Sequence, residues 1–437
     1  MSDDHPGDPR SIIGNGAMRT WQWLAVLVTV GLNAMDGFDV LSISFAAPGI
    51  AKEWGIDKAA LGWVLSTELI GMALGSVLLG GVADRRGRRP LILACLVAMA
   101  IGMYGAGHAE TLSTLMLFRL LTGLGIGGML AAINALAAEL ANDRWRSLAM
   151  ALMVIGYPLG GVFGGLAVQW ILAHGNWRDI FGFGAWATAA FIPIVWWLVP
   201  ESVAFLERAR PPGALAKINR ILERFGHAPA AALSAVDAAT PRLLTDIFRP
   251  RLLATTLLIT FAYFAHITSF YFLLKWVPKI VVDLGYAPQA AAGVLTWMNV
   301  GGATGGAIFG LIATRIGLKP LTIFTLLGAG AMIVTFGHGA VGLGGLTTVV
   351  TLAGLFNNSA IVGLYALFAT VFPTHVRATG TGFAIGVGRG GAALAPVLAG
   401  YLLQAGLGLQ FVALVMATGS LVAAAVLMAL KIRPVND

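Results

Sequence analysis

The sequence predicts an all-α membrane protein of twelve transmembrane helices in two pseudo-symmetric six-helix bundles. Three observations carry that prediction. Of 437 residues, 58% are hydrophobic and 11% charged, against about 25% charged in an ordinary soluble domain. Apolar runs of bilayer length recur at regular spacing. A short Gly/Arg-rich stretch occurs twice, at matching places in the two halves. The composition excludes a soluble enzyme, a nucleic-acid binder and a disordered regulator. The pI of about 9.9 reflects basic loops, which membrane topology requires, and does not point to nucleic acid.

A helix crosses a bilayer with about 20 mostly apolar residues. Such runs are read at about 21–47, 60–82, 90–107, 112–140, 147–172, 179–199, 252–281, 288–313, 320–338, 345–371, 378–403 and 408–430. The long polar gap carries Pro200, Pro211, Pro212, Pro229 and Pro241 among basic residues, and reads as a linker. The expected organisation is a tail over 1–20, bundles over 21–199 and 251–431 around a 200–250 linker, and a tail over 432–437. Residues 1–20 are polar and lack the apolar core of a cleavable signal. The first helix is therefore expected to act as the insertion signal. The single cysteine, Cys95, supports neither a disulfide framework nor a Cys-based metal site.

Charge sets the expected orientation. Alternate loops counted from the N-terminus hold 21 Lys and Arg residues, the opposite loops 4 (Lys52, Lys58, Arg178 and Lys279). That bias puts both termini and the linker in the cytoplasm. Short loops suit a bacterial inner membrane. The remaining basic residues, Arg119, Lys275 and Arg389, fall inside predicted helices.

The repeat is Gly80-Gly81-Val82-Ala83-Asp84-Arg85-Arg86-Gly87-Arg88-Arg89-Pro90 after the second helix and Gly310-Leu311-Ile312-Ala313-Thr314-Arg315-Ile316-Gly317-Leu318-Lys319-Pro320 after the eighth. Two related halves joined by a linker describe a transporter of parallel repeats with a midplane site. The first copy resembles the signature of the major facilitator superfamily, which implies the major facilitator fold. The second copy departs from it, with Thr314 in the acidic place. Asp36-Gly37-Phe38-Asp39 on the first helix resembles the aromatic acid:proton symporter family. Gly156-Tyr157-Pro158-Leu159-Gly160, Leu274-Lys275-Trp276-Val277-Pro278-Lys279, Arg377-Ala378-Thr379-Gly380-Thr381-Gly382 and Gly388-Arg389 are similar to that family as well. The resemblance implies proton-coupled uptake of an aromatic carboxylate, of benzoate or hydroxybenzoate type, by alternating access. The protein is then a monomer in the lipid bilayer, with protons as coupling ion, no cofactor, no metal and no nucleic-acid partner. The alternatives within the fold are another organic anion, a sugar, or small-molecule export. An intramembrane enzyme lacks a His-x-x-His or Glu-x-x-His motif here.

An ionisable group inside the bilayer is costly unless paired or wetted, so each is a functional candidate. Asp36 and Asp39 share a helix face. Two close carboxylates in low dielectric do not both stay charged cheaply, which makes a proton carrier. The bland alternatives are a cap on a break at Gly37 or a fixed salt bridge to Arg119. Arg119, on the fourth helix, is expected to modulate the carboxylates or to form a structural ion pair. Glu68 is read as an ordinary residue near the headgroups.

In the second half Arg389 lies near mid-depth, and its planar fork suits a carboxylate. It is the first choice for the substrate, against a structural role on backbone carbonyls. Lys275, toward the outer mouth, attracts the anion or snorkels. His266 is titratable, or simply hydrogen-bonded. Tyr263 and Phe270 share its face and can stack on a ring. Asn299, Asn357 and Asn358 can bond ring hydroxyls or glue helices. Asp84, Arg85, Gly87 and Arg88 are expected to gate, or to anchor the loop on the positive side.

Overall fold

The computed structural model describes residues 8–233, 244–339, 342–373 and 376–430, apart from the side chains of Asp84, Arg251 and Ala378. The described residues form fifteen α-helices. The twelve long ones are α2 Thr20–Trp54, α3 Lys58–Arg86, α4 Arg88–Gly107, α5 Leu112–Leu140, α6 Arg146–His174, α7 Trp177–Leu198, α10 Pro250–Asp283, α11 Pro288–Ile316, α12 Leu318–Gly337, α13 Gly342–Val371, α14 Arg377–Gln404 and α15 Leu409–Ala429. They fall within a few residues of the apolar runs, because in a bilayer only the helix satisfies its own backbone. Eleven are both long and apolar enough to span a membrane. The other, α11, has the length, but its glycines, Thr296, Asn299 and Thr304 dilute its hydropathy.

The chain divides into two compact units, each of discontinuous segments. The first comprises 1–39, 71–160 and 181–239. Its helices cross on small residues. A methyl on Gly156 or Gly160 of α6 would overlap the carbonyls of Val30 or Ala34 on α2, and one on Gly37 would overlap the Tyr157 carbonyl. Gly37 is thus a crossing point and not a break, for α2 runs through it unbroken. Gly71 and Gly75 of α3 lie in the same way on Leu120 and Leu124 of α5. Cys95, on α4, is buried, with its Sγ beside Gly128 of α5.

The linker and tail are more ordered than their sequence suggests. Two further helices, α8 Val203–Ala209 and α9 Ala214–Arg224, follow α7, and α1 Pro9–Asn15 packs with them. Ile13, Val203, Phe205, Leu206, Ile218, Leu222 and Ala230 form their own small core. Ser202 caps α8 by accepting from the Phe205 N–H at 2.9 Å, and Arg10 pairs with Glu207 at 2.6 Å.

The second unit comprises 40–70, 161–180 and 240–437. Gly301 and Gly305 of α11 lie on Thr351 and Leu355 of α13, at the four-residue step of Gly71 and Gly75. Gly391 and Gly419 bring α14 and α15 onto Phe264 and Ala265 of α10. The first half of α3 runs against α14 on a stripe four residues apart. The Lys58 N–H donates to Gln404 Oε1 at 3.1 Å, a methyl on Gly62 would stand 2.6 Å from the Pro396 carbonyl, and Ser66 Oγ donates to the Ala393 carbonyl at 2.7 Å.

Candidate functional site

In the first unit Asp36 and Asp39 are both completely buried on α2. Arg119, also fully buried, reaches Asp39 from α5. Its Nη2 donates to the Asp39 backbone carbonyl at 2.9 Å, its Nη1 lies 2.9 Å from Met103 Sδ, and its guanidinium sits 5.3 Å over the Phe181 ring. Gly184 of α7 makes room for Met103, which a methyl there would overlap, and that methyl would stand at ordinary contact distance, 3.5 Å, from Asp39 Oδ1. Arg119 and Asp39 thus lie buried together among α2, α5 and α7, with Asp36 three residues earlier on α2. A guanidinium stays protonated in proteins, so the carboxylates are the groups there that can take up a proton.

In the second unit an aromatic cluster lies beside Arg389. Tyr263 of α10 and Tyr365 of α13 share a hydrogen bond at 3.0 Å, with ring centroids 5.7 Å apart, and Phe368 stands edge-on to Tyr263 at 5.5 Å. Gly388 lets the Tyr263 ring lie directly on α14, one residue before Arg389. Arg389 itself is half-buried. A cation and a cluster of rings in one part of the unit offer a planar anion two kinds of contact, an ion pair and stacking. Tyr365 and Phe368 were not among the expected residues. Tyr365 lies seven residues after Asn358, hence on the same helix face, and that spacing was the available signal.

Other expected residues are placed away from that cluster's polar edge. His266 is fully buried with both ring nitrogens engaged, Nδ1 with Ser420 Oγ at 2.9 Å and Nε2 with the Asn357 carbonyl at 3.2 Å. Asn357 and Asn299 donate to their own helices, to Ala353 and Leu295. Asn358 donates across to the Gly302 carbonyl at 2.6 Å, joining α13 to α11. Phe270 is half-buried, edge-on to Tyr271.

Lys275 neither snorkels nor reaches solvent, and Glu68 is not a headgroup residue. Both are fully buried, and Lys275 Nζ lies 3.7 Å from Glu68 Oε2. The same ammonium donates to the Val40 carbonyl of α2. Sequence gives the depth of a residue along its helix but not the face it turns to its neighbours, and Glu68 is buried by its face.

The first Gly/Arg loop turns at Gly87, whose φ of 104° is open to glycine. The Arg88 N–H donates to Glu201 Oε1 at 2.9 Å, and its side chain pairs with Glu139 at 3.2 Å. Ser202 also donates to Glu139. Burial pushes the Glu201 carboxyl up, against the backbone N–H groups of Ser202, Arg88 and Arg89 that favour its charge. Arg85 is exposed. The Asp84 side chain lies outside the described residues.

The sequence profile of the Major Facilitator Superfamily matches residues 29–342. The chain is 29% identical to the gallate transporter of Pseudomonas putida, over 93% of this chain and 91% of that one. It is 30% identical to the 3-(3-hydroxy-phenyl)propionate transporter of Escherichia coli, over 91% and 92%. With the 4-hydroxybenzoate transporter PcaK of Pseudomonas aeruginosa it shares 31% identity over 92% and 91%. Among solved structures, a D-xylose–proton symporter superposes with a TM-score of 0.73 at 18% identity, covering 95% of this chain and 98% of that one. The common fold and the match over most of the chain identify this integral membrane protein as a member of the Major Facilitator Superfamily, a transporter and not an enzyme.

Proposed function

We propose that the protein takes up an aromatic carboxylate, of benzoate or hydroxybenzoate type, together with protons, by alternating access. One observation carries the reading. The three relatives described above, each matched over nine-tenths of both chains, are named for transport of an aromatic ring bearing a carboxylate. The chemistry of the two units supports it. Asp36 and Asp39 take the proton, with Arg119 offsetting one carboxylate charge. Arg389 takes the substrate carboxylate while Tyr263, Tyr365 and Phe368 stack on the ring. The carrier works as a monomer in a bacterial inner membrane, with both termini cytoplasmic, in line with 21 against 4 basic residues in alternate loops. Proton entry then drives accumulation.

The test is uptake of radiolabelled hydroxybenzoates into proteoliposomes, with and without an inward proton gradient. Accumulation that requires the gradient, is competed by benzoate and disappears in Asp36→Asn or Asp39→Asn is the expected result. Full accumulation in both variants would remove the Asp pair from coupling. Intact protein that carries no aromatic acid would leave the fold and discard the substrate class.

A further inference from the structure

Within the second unit, the ends of α2, α10 and α14 and the starts of α3 and α11 border a pocket of about 730 Å³. Small-molecule sites run from about 300 to 1,000 Å³. The pocket lies at the end of the tightly packed α3–α14 seam, where the Lys58 N–H meets Gln404, and both residues line it. With both termini cytoplasmic, as proposed above, this end of the unit faces outward. Three lysines line the pocket, Lys52, Lys58 and Lys279. Basic residues on the outer side run against the positive-inside bias. The loops of that side hold only these three and Arg178. Arg178 pairs with Glu53 at 2.6 Å, and its guanidinium stands 4.2 Å from the centroid of the Trp177 ring. Every other basic residue of the outer loops therefore lines one pocket.

The two acids that share the pocket have other partners. Asp57 caps α3, its Oδ1 accepting from the Ala60 N–H at 2.7 Å. Asp283 pairs with Lys279, one helical turn back on α10. Lys52 and Lys58 form no ion pair among the described residues. With three cations and two carboxylates, the pocket keeps a net positive charge. Ile56, Leu61, Val282 and Leu403 add apolar surface to its lining. Ammonium groups beside aliphatic side chains suit an anion with a hydrophobic body, the lysines donating to its carboxylate while the ring leaves water.

We propose that this pocket is an outer receiving site for the aromatic carboxylate, in which Lys52 and Lys58 bind the anion before it enters the transport path. This rests on the reading that the substrate is an aromatic carboxylate taken up from outside. The need for such a site is electrostatic. An anion entering a cell with a negative interior moves against the membrane potential. Cations lining a cleft with apolar walls focus their field and raise the local concentration of the anion at the point of entry. Lys279, held by Asp283, adds to that field without being the ligand. The pocket selects for negative charge on the outside and is separate from the aromatic cluster beside Arg389.

The experiment measures initial uptake of labelled 4-hydroxybenzoate into right-side-out and inside-out membrane vesicles, at low and at high ionic strength. The wild type is compared with Lys52→Gln, Lys58→Gln, the double variant Lys52→Gln/Lys58→Gln and the charge-keeping Lys52→Arg/Lys58→Arg, and thermal unfolding is recorded for each. In right-side-out vesicles at low ionic strength, the double Gln variant should raise the half-saturating concentration about fivefold and leave the maximal rate in place. Each single variant should show part of that rise, and the Arg variant should restore the low value. The rise should shrink in high salt, which screens exposed charges. In inside-out vesicles the lysines face the lumen, and the rise should be absent. A double Gln variant with wild-type half-saturation in right-side-out vesicles would overturn the proposal. So would an equal rise in both kinds of vesicle, or a loss of maximal rate alone with a lowered unfolding temperature, since either marks a structural role. A wild type that carries no aromatic carboxylate fails the substrate reading itself, whereas one that does, with unchanged variants, fails this inference alone.

Discussion

The loops Gly80–Pro90 and Gly310–Pro320 share one backbone and differ in chemistry. Each joins two helices through a single glycine of positive φ, 104° at Gly87 and 91° at Gly317. Around Gly87 the contacts are charged, with Arg88 held between Glu139 and Glu201. In the second loop Thr314 stands in the sequence place of Asp84 and bonds back to Leu311. Lys319 instead donates to the Leu430 and Met428 carbonyls at 2.8 and 3.4 Å, at the end of α15. The shape of the turn is therefore set by glycine and by the pairing of the helices, and its charge network is a separate addition. The first loop is a candidate for state-dependent contacts. The second is a helix anchor, a cation on C-terminal carbonyls.

Alanine at the two glycines should separate shape from charge most strongly. Gly87→Ala meets both an unfavourable φ and the Glu201 carboxylate, whereas Gly317→Ala meets only the φ, with its nearest neighbour, Pro320 Cδ, at 3.9 Å. We expect Gly87→Ala to lose about 2–3 kcal/mol and Gly317→Ala about 1 kcal/mol, read as thermal unfolding in detergent. Equal losses would mean that Glu201 yields freely and the two loops do not differ.

A smaller effect is expected from the basic residues. Arg88→Ala removes the cation from Glu139, which keeps the Ser202 hydroxyl, and should cost about 1–2 kcal/mol, the pair being only partly buried. Lys319→Ala should cost about 0.5 kcal/mol. Their salt dependence should differ as well, and a Lys319→Ala loss as large as that of Arg88→Ala would break the comparison.

The smallest effect is a pH dependence of the first loop. Burial raises the Glu201 carboxyl, so the folded protein holds that proton more tightly than the unfolded chain does. Stability from this group is then present at low pH and falls as pH rises through the window between the ordinary value, about 4.3, and the raised one. The wild type's unfolding temperature should decline relative to Glu201→Gln across that window. A wild type whose unfolding temperature rises relative to Glu201→Gln across that window would reverse the assignment.

The twelve long helices were legible because bilayer crossing imposes a length and a polarity that a window of residues reveals. The linker helices were not. In α9, Ile218 and Leu222 turn inward while Lys217, Arg220 and Arg224 stay exposed, and eleven residues between Gly213 and Phe225 look like a basic loop. Within the membrane-length helices, sequence picked out the charged positions but not the faces they turn to their neighbours. Asp36 and Asp39 could be placed on one face because they are three apart. Glu68 and Lys275 are 207 positions apart, and their meeting depends on how α3 and α10 rotate against each other. Gly156 and Gly160 likewise read as a family motif, and their contact with α2 shows what the spacing does.

The burial of Cys95 makes the native chain a ready background for thiol chemistry. A maleimide should leave the folded protein unlabelled and react after denaturation. A cysteine introduced at Ser66 or Ala393 would then report on the seam by itself, and the pair, oxidised to a disulfide, would fasten α3 to α14 and arrest turnover until reduced. The native sequence thus permits thiol chemistry directed at the α3–α14 contact without first removing a thiol of its own.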